Sequence, residues 1–164
     1  MTAARPHVFA ALALSALALL PATRQAFAAD RHIVVTAVEP KGGANVEKEP
    51  FPGALPEGGG YVLKKPNDEG RWEVAVYVFE PRQIFVDEGD NVTLEFVGIN
   101  GASHPITIDA YGQTFELKRG HVNKVTFTAD KPGRHSIVCS AHLPTMTSEL
   151  IVNPKKKRVA LSTL

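Results

Sequence analysis

The chain has 164 residues, enough for one domain with a core of ordinary size, and 44% hydrophobic against 21% charged residues excludes a disordered polyelectrolyte. The formal net charge of +1 becomes −1 when Arg5 and Arg24 of the first 28 residues are set aside, leaving 16 basic against 17 acidic residues from the original 18 and 17. Such a balance excludes an electrostatic case for nucleic acid as a partner.

Residues 1–28 have the pattern of a removable secretory leader. Arg5 precedes a largely apolar run of 13 residues, Val8 to Leu20, and Ala26-Phe27-Ala28 fits the small-x-small cleavage rule. The run is too short to span a bilayer comfortably. The cleavage point has no Cys for lipid attachment, and no arginine pair precedes the run. A mature protein beginning near Ala29, without stable membrane insertion, is therefore expected in the periplasm.

His32 to Glu39 is rich in β-branched residues and reads as a strand. Residues 40–60 carry so many Pro and Gly that they read as a long irregular excursion, the kind that covers a site or meets a partner. Tyr61–Leu63 and Glu73–Phe79 follow as strands, separated by a turn at Lys65–Gly70. Beyond Pro81 the pattern is regular: strands at Gln83–Val86, Asn91–Val97, His104–Asp109, Gln113–Leu117, Lys124–Thr128, Arg134–Cys139 and Thr147–Val152. Val92, Leu94 and Phe96 alternate inward on one of them, Val125 and Phe127 on another. Short strands at this spacing, with no helical period outside the leader, predict an all-β sandwich. The organisation expected is a leader at 1–28, N-terminal strands and an excursion at 29–77, a core at 78–153 and a basic tail at 154–164, Lys155-Lys156-Lys157-Arg158 being a solvated end or a docking patch.

The chemistry is concentrated in Cys139-Ser140-Ala141-His142-Leu143-Pro144-Thr145-Met146. Without the leader, Cys139 and Met146 are the sole Cys and Met, and a His lies between them. Thiolate, imidazole and thioether together are the donors that copper prefers. A lone buried Cys is commonly just a small hydrophobe. In an oxidising compartment, however, an unpaired thiol is a liability unless something occupies it. Ile137 and Cys139 share a strand face, so the sulfur is expected to point inward.

A trigonal site needs a second imidazole, and His104 is the best candidate, held extended by Pro105 after it. Asn100 is a candidate for hydrogen bonding to the Cys139 loop. His135 lies four residues before Cys139 on the same face, about 13 Å away along a strand, too far to share a metal. It reads as a core or edge histidine, and His32 and His121 read as exposed. Asp109 and Glu116 become ligand candidates only in a more open site. The expectation is one copper ion, cycling between Cu(I) and Cu(II), held by His104, Cys139, His142 and an axial Met146.

From about Val78 to Val152 the chain resembles the cupredoxins, its Cys-x-x-His-x-x-x-Met loop falling between the loop lengths of amicyanin and plastocyanin. Thr107–Gly112 and Val125–Gly133 resemble nitrosocyanin and the copper domain of nitrous oxide reductase, and the strands from about Ile33 resemble nitrosocyanin's N-terminal extension. The resemblance implies a Greek-key β-sandwich with an N-terminal β extension. It also implies a mononuclear centre, since a binuclear one needs two Cys. Nitrosocyanin has Glu where this chain has His104 and a second loop His where this chain offers Met146, so the ligand set is that of a blue-copper site. A homotrimer is implied only by analogy with nitrosocyanin.

No nucleophile–base pair, carboxylate dyad or phosphate loop is present, so hydrolysis has no support and electron transfer is the leading expectation. Its redox partner would be a cytochrome or a copper oxidoreductase. Copper delivery or resistance is the alternative, although such proteins favour Met- and His-rich tracts. A third reading is a small redox enzyme with an open copper position, which requires Met146 to lie away from the metal.

Overall fold

A computed structural model describes residues 28–53, 55 and 60–155. Most of the leader and of the basic tail lies outside the described residues. The strands are β1 (Asp30–Val38), β2 (Lys41–Asn45), β3 (Tyr61–Lys64), β4 (Arg71–Val76), β5 (Val78–Glu80), β6 (Gln83–Asp87), β7 (Asn91–Gly98), β8 (Ser103–Ile108), β9 (Gln113–Lys118), β10 (Val122–Thr128), β11 (Gly133–Cys139) and β12 (Thr147–Asn153). Among the described residues the helical elements are two 3-10 turns, Asp109–Tyr111 and Ser140–His142. No helix among them is long and apolar enough to cross a membrane.

Two sheets form the sandwich, ordered β10-β7-β1-β5 and β6-β12-β11-β8-β9. The alternation on β7 has the expected sense: Val92, Leu94 and Phe96 are fully buried between the sheets. They meet Ile106, Ile108, Ile137 and Leu150 of the facing sheet in one continuous core. Phe96 bridges the layers, its ring centroid 5.1 Å from Phe115 on β9 and 6.1 Å from Phe79 on β5, both edge-on. On β10, Val125 is buried and Phe127 is partly buried against the same core.

The N-terminal half departs from the sequence reading in three places. β1 is an inner strand of the four-stranded sheet, parallel to β7 and antiparallel to β5, with Val35 and Ala37 in the core. Truncating Val35 to Ala is expected to cost about 2 kcal/mol from lost burial and the cavity left behind. A urea unfolding midpoint unchanged from that of the parent chain would contradict this place for β1.

The excursion also contains order. Lys41–Asn45 pairs with β4, and β3 pairs on the other side, giving a separate three-stranded sheet β2-β4-β3. Glycine hides this strand in the sequence because glycine ordinarily weakens strands. At Gly43 it is required, since a Cβ would collide with the Trp72 carbonyl of β4. Trp72 is buried there, edge-on to Phe51 and donating its indole N–H to the Glu49 carbonyl at 2.9 Å.

Finally, Glu73–Phe79 is not one strand. It breaks at Tyr77, between a strand of the small sheet and a strand of the sandwich. Val76 N–H donates to the Pro40 carbonyl at 3.1 Å and Tyr77 N–H to the Gly60 carbonyl at 2.9 Å, which satisfies the backbone through the break. The break lets Tyr77 reach the site described next.

Candidate metal centre

The C-terminal end of β11 and the start of β8 meet at one pole of the sandwich. Cys139 pairs with Ile106 across the two strands, so the inward face that carries Ile106 also carries His104 two residues earlier. Both Cys139 and His104 are fully buried. From Cys139 the chain turns through Ser140–His142 and doubles back to β12. Cys139 N–H donates to the Met146 carbonyl at 3.0 Å, and Met146 N–H donates to the His142 carbonyl at 3.0 Å. The Thr145 hydroxyl donates to the same His142 carbonyl at 3.2 Å. This small loop fixes the backbone positions of Cys, His and Met relative to each other.

Three donor atoms converge. The Nδ1 atoms of His104 and His142 are 3.3 Å apart, and Cys139 Sγ is 3.9 Å from the first and 3.3 Å from the second. Donors placed about 2.0 Å (nitrogen) and 2.3 Å (sulfur) from a common centre at 120° would be about 3.5–3.7 Å apart. The triangle fits a single transition-metal ion. Met146 is fully buried in the same loop.

Hydrogen bonding sets which imidazole nitrogen is free. His104 Nε2 lies 2.7 Å from the Asn100 carbonyl, which can only accept, so Nε2 carries the proton and Nδ1 offers its lone pair to the triangle. Asn100 therefore acts through its backbone on His104. Its side-chain oxygen, the candidate partner of the Cys139 loop, instead accepts from Glu39 N–H at 3.1 Å. Gly101 follows in the left-handed region at φ +77°, and a Cβ there would lie 2.7 Å from His104 Cε1 and Nε2. That close approach lets the ring seat on the carbonyl.

Burial pushes the Cys139 thiol above its ordinary pKa, against the opposing effect of the Ala141 and His142 backbone N–H groups. Burial, reinforced by His104, pushes His142 below the ordinary imidazole value, with Glu39 opposing. His142 is thus kept neutral with a lone pair to give, and metal binding must displace the thiol proton.

One contributor was not visible in the sequence. The Tyr77 ring stacks on His142, with centroids 4.0 Å apart and planes 29° apart, and sits edge-on to His104 at 5.8 Å. Burial, then hydrogen bonding to Glu39, raises its phenol pKa. Glu39 in turn pairs with Lys41 at 3.0 Å. Gly60, at φ +77°, packs so closely on the loop that a Cβ would collide with the Thr145 hydroxyl and the His142 carbonyl. Gly60, at the end of the excursion, and Tyr77 thus lie against the outer side of the site. Nothing in a lone Tyr between strand-like residues signals this; only the pairing of Val76 and Tyr77 with distant carbonyls does.

The remaining candidates lie elsewhere. His135 is half-buried on β11, its Nε2 2.6 Å from the Lys131 carbonyl. His121 and His32 are exposed, the latter 2.8 Å from Glu95. Glu116 is engaged by Ser103 and Lys118, and Asp109 is exposed at the far end of β8.

Several known proteins share this architecture. A copper nitrite reductase from Nitrosomonas europaea is 20% identical with a TM-score of 0.51, the match covering 77% of this chain and 42% of that one. A copper-containing nitrite reductase from Thermus scotoductus SA-01 is 19% identical with a TM-score of 0.52, covering 79% of this chain and 29% of that one. The chain spans less than half the length of either, and at such identities the likeness concerns the fold alone. No curated protein matches the sequence. A family model described as a cupredoxin-like domain matches residues 61–152, more than half of the chain, and contains all four expected ligands. The chain belongs to the cupredoxin-like domain family.

Proposed function

We propose that the protein holds one copper ion at His104, Cys139 and His142, with Met146 as the axial ligand, and serves as a periplasmic electron carrier. The observation that carries this reading is the triangle of three donor atoms 3.3–3.9 Å apart on a buried, hydrogen-bonded frame. Copper, when bound, supplies the one-electron couple. The protein's part is to keep the donors fixed while the charge changes: β8 and β11 hold His104 and Cys139, and the Asn100 carbonyl orients one imidazole. A frame this constrained suits both oxidation states and leaves little to rearrange. Tyr77 covers the His142 ring, which favours electron passage over ligand binding. The redox partner would be a cytochrome or a copper oxidoreductase.

The test is the visible and EPR spectrum of the copper-loaded, oxidised mature protein beside Met146→Gln. An intense band near roughly 600 nm, or a green variant of it, shifted in Met146→Gln, is the expected result for a thiolate site with an axial thioether. A red protein with ordinary Cu(II) EPR splitting would mean an open position and redirect attention to small-molecule chemistry. Absence of any thiolate band would sink the ligand assignment.

A further inference from the structure

We propose that Asp90 is the seat of the mature amino terminus, so that removal of the leader places an α-ammonium group on a buried carboxylate and locks the sandwich. The proposal rests on the reading of residues 1–28 as a removable leader and is independent of the metal. Asp90 is 2% exposed, in the turn between β6 and β7 at the pole opposite the metal centre. Ala29 nitrogen lies 2.9 Å from its Oδ1, and its Oδ2 accepts from Arg31 Nε at 2.9 Å and from Asp87 N–H at 3.1 Å. Ala29 is held on its other side as well, its carbonyl accepting from Asn91 N–H at 2.9 Å.

The placement coincides with the cleavage rule. The bond after Ala26-Phe27-Ala28 is the one whose hydrolysis exposes the Ala29 nitrogen. A leader peptidase adds water across Ala28–Ala29; the leader keeps the new carboxylate, and the new amine on Ala29 takes a proton from solvent. In the uncut chain this nitrogen gives Asp90 one neutral amide hydrogen bond. After cleavage the same atom, already within reach, becomes a cation, and a charge-assisted bond is roughly twice as strong as a neutral one. Ala29 is only half-buried, so the two remaining ammonium hydrogens can stay hydrated.

The surroundings suit a second cation. Arg31 pairs with both Asp90 and Asp87, so one guanidinium is shared between two carboxylates, and Oδ1 is left to Ala29. The turn is braced independently, Gly89 N–H donating to the Ala129 carbonyl and Ala129 N–H to the Asp90 carbonyl, each at 2.8 Å. The seat exists only when β6, β7 and β10 have come together, so the terminus reports completion of the fold.

The test compares the full mature chain beginning at Ala29 with the same chain preceded by one glycine, each also as Asp90→Asn. The Ala29 form is expected to melt higher by roughly 3 °C or more, with the difference collapsing in the Asp90→Asn pair. In parallel, acylation of the α-amine at neutral pH, followed by mass spectrometry, is expected to be at least about tenfold slower in the native than in the urea-unfolded protein. This second readout decides the matter if Asp90→Asn fails to fold. Equal melting temperatures together with a freely acylated amine would overturn the seat. The intact mass of the exported protein separates the two layers: a start other than Ala29 would overturn the leader reading itself.

Discussion

Replacing Cys139 by Ser is expected to abolish the intense visible band of the copper-loaded protein and to weaken copper binding by at least about a hundredfold. The thiol supplies the only soft anionic donor in the triangle, 3.3 Å and 3.9 Å from the two imidazole nitrogens. A serine hydroxyl at the same place is a harder donor and does not give up its proton at neutral pH, so the ion would rest on two neutral imidazoles. The apo fold is expected to survive the exchange. The exchange is nearly isosteric at a fully buried position, and an unpaired hydroxyl there costs about 1–3 kcal/mol. Far-ultraviolet circular dichroism should therefore be unchanged while the copper titration in the visible goes flat. Retention of the band in Cys139→Ser would mean that the colour arises elsewhere.

The same metal should contribute to stability. A ligand that binds only the folded state stabilises it by about 4 kcal/mol at a thousandfold excess over its Kd. Cys139→Ser should lose most of that increment, and its melting temperature should respond little to added copper.

How much of this was legible in the sequence depends on the range over which each feature is encoded. The loop Cys139–Met146 carries three of the four expected ligands within eight residues, so local chemistry alone announces it. His104 is 35 residues away and carries no local sign of that partnership; the sheet brings it alongside through the pairing of Cys139 with Ile106. Strands such as β7 and β10 were legible because a half-buried sheet imposes a period of two on the side chains. β2 was not, because Gly42 and Gly43 have no side chain to show a period, and its strand exists through pairing with β4. The inner position of β1 was equally hidden: HIVVTAVE reads as a strand, but its parallel pairing with β7 spans 61 residues and leaves no local mark. Asn100 shows a subtler limit. The residue is in the right place, yet its carbonyl, which every residue has, does the work on His104.

Tyr77 is the strongest case of a contact to the candidate site made by a residue with no sequence signal, and its removal is expected to change what the metal centre admits. Its ring lies on the face of His142 at 4.0 Å, edge-on to His104, and Tyr77 Cε1 would lie 3.1 Å from a Cβ at Gly101. It therefore fills the space between both imidazoles and the turn that carries His104. Tyr77→Ala would leave a hole beside polar ring atoms, which water can occupy. The loss of packing and stacking is expected to cost about 1–3 kcal/mol of stability. The oxidised, copper-loaded parent protein is expected to be indifferent to azide, whereas Tyr77→Ala should bind it, with a shifted visible band and an EPR signal closer to ordinary Cu(II). Tyr77→Phe separates two roles of the side chain. It keeps the stacked ring and should exclude azide as the parent does, while removing the hydroxyl whose pKa burial and then Glu39 raise. Azide binding by the parent chain would show that the ring is no barrier and would favour an open, reactive copper position. Exclusion by all three proteins would place the barrier deeper, in the loop that buries Met146. Admission by Tyr77→Ala alone would make one aromatic ring, held at the break between β4 and β5, the element that closes this centre to small ligands.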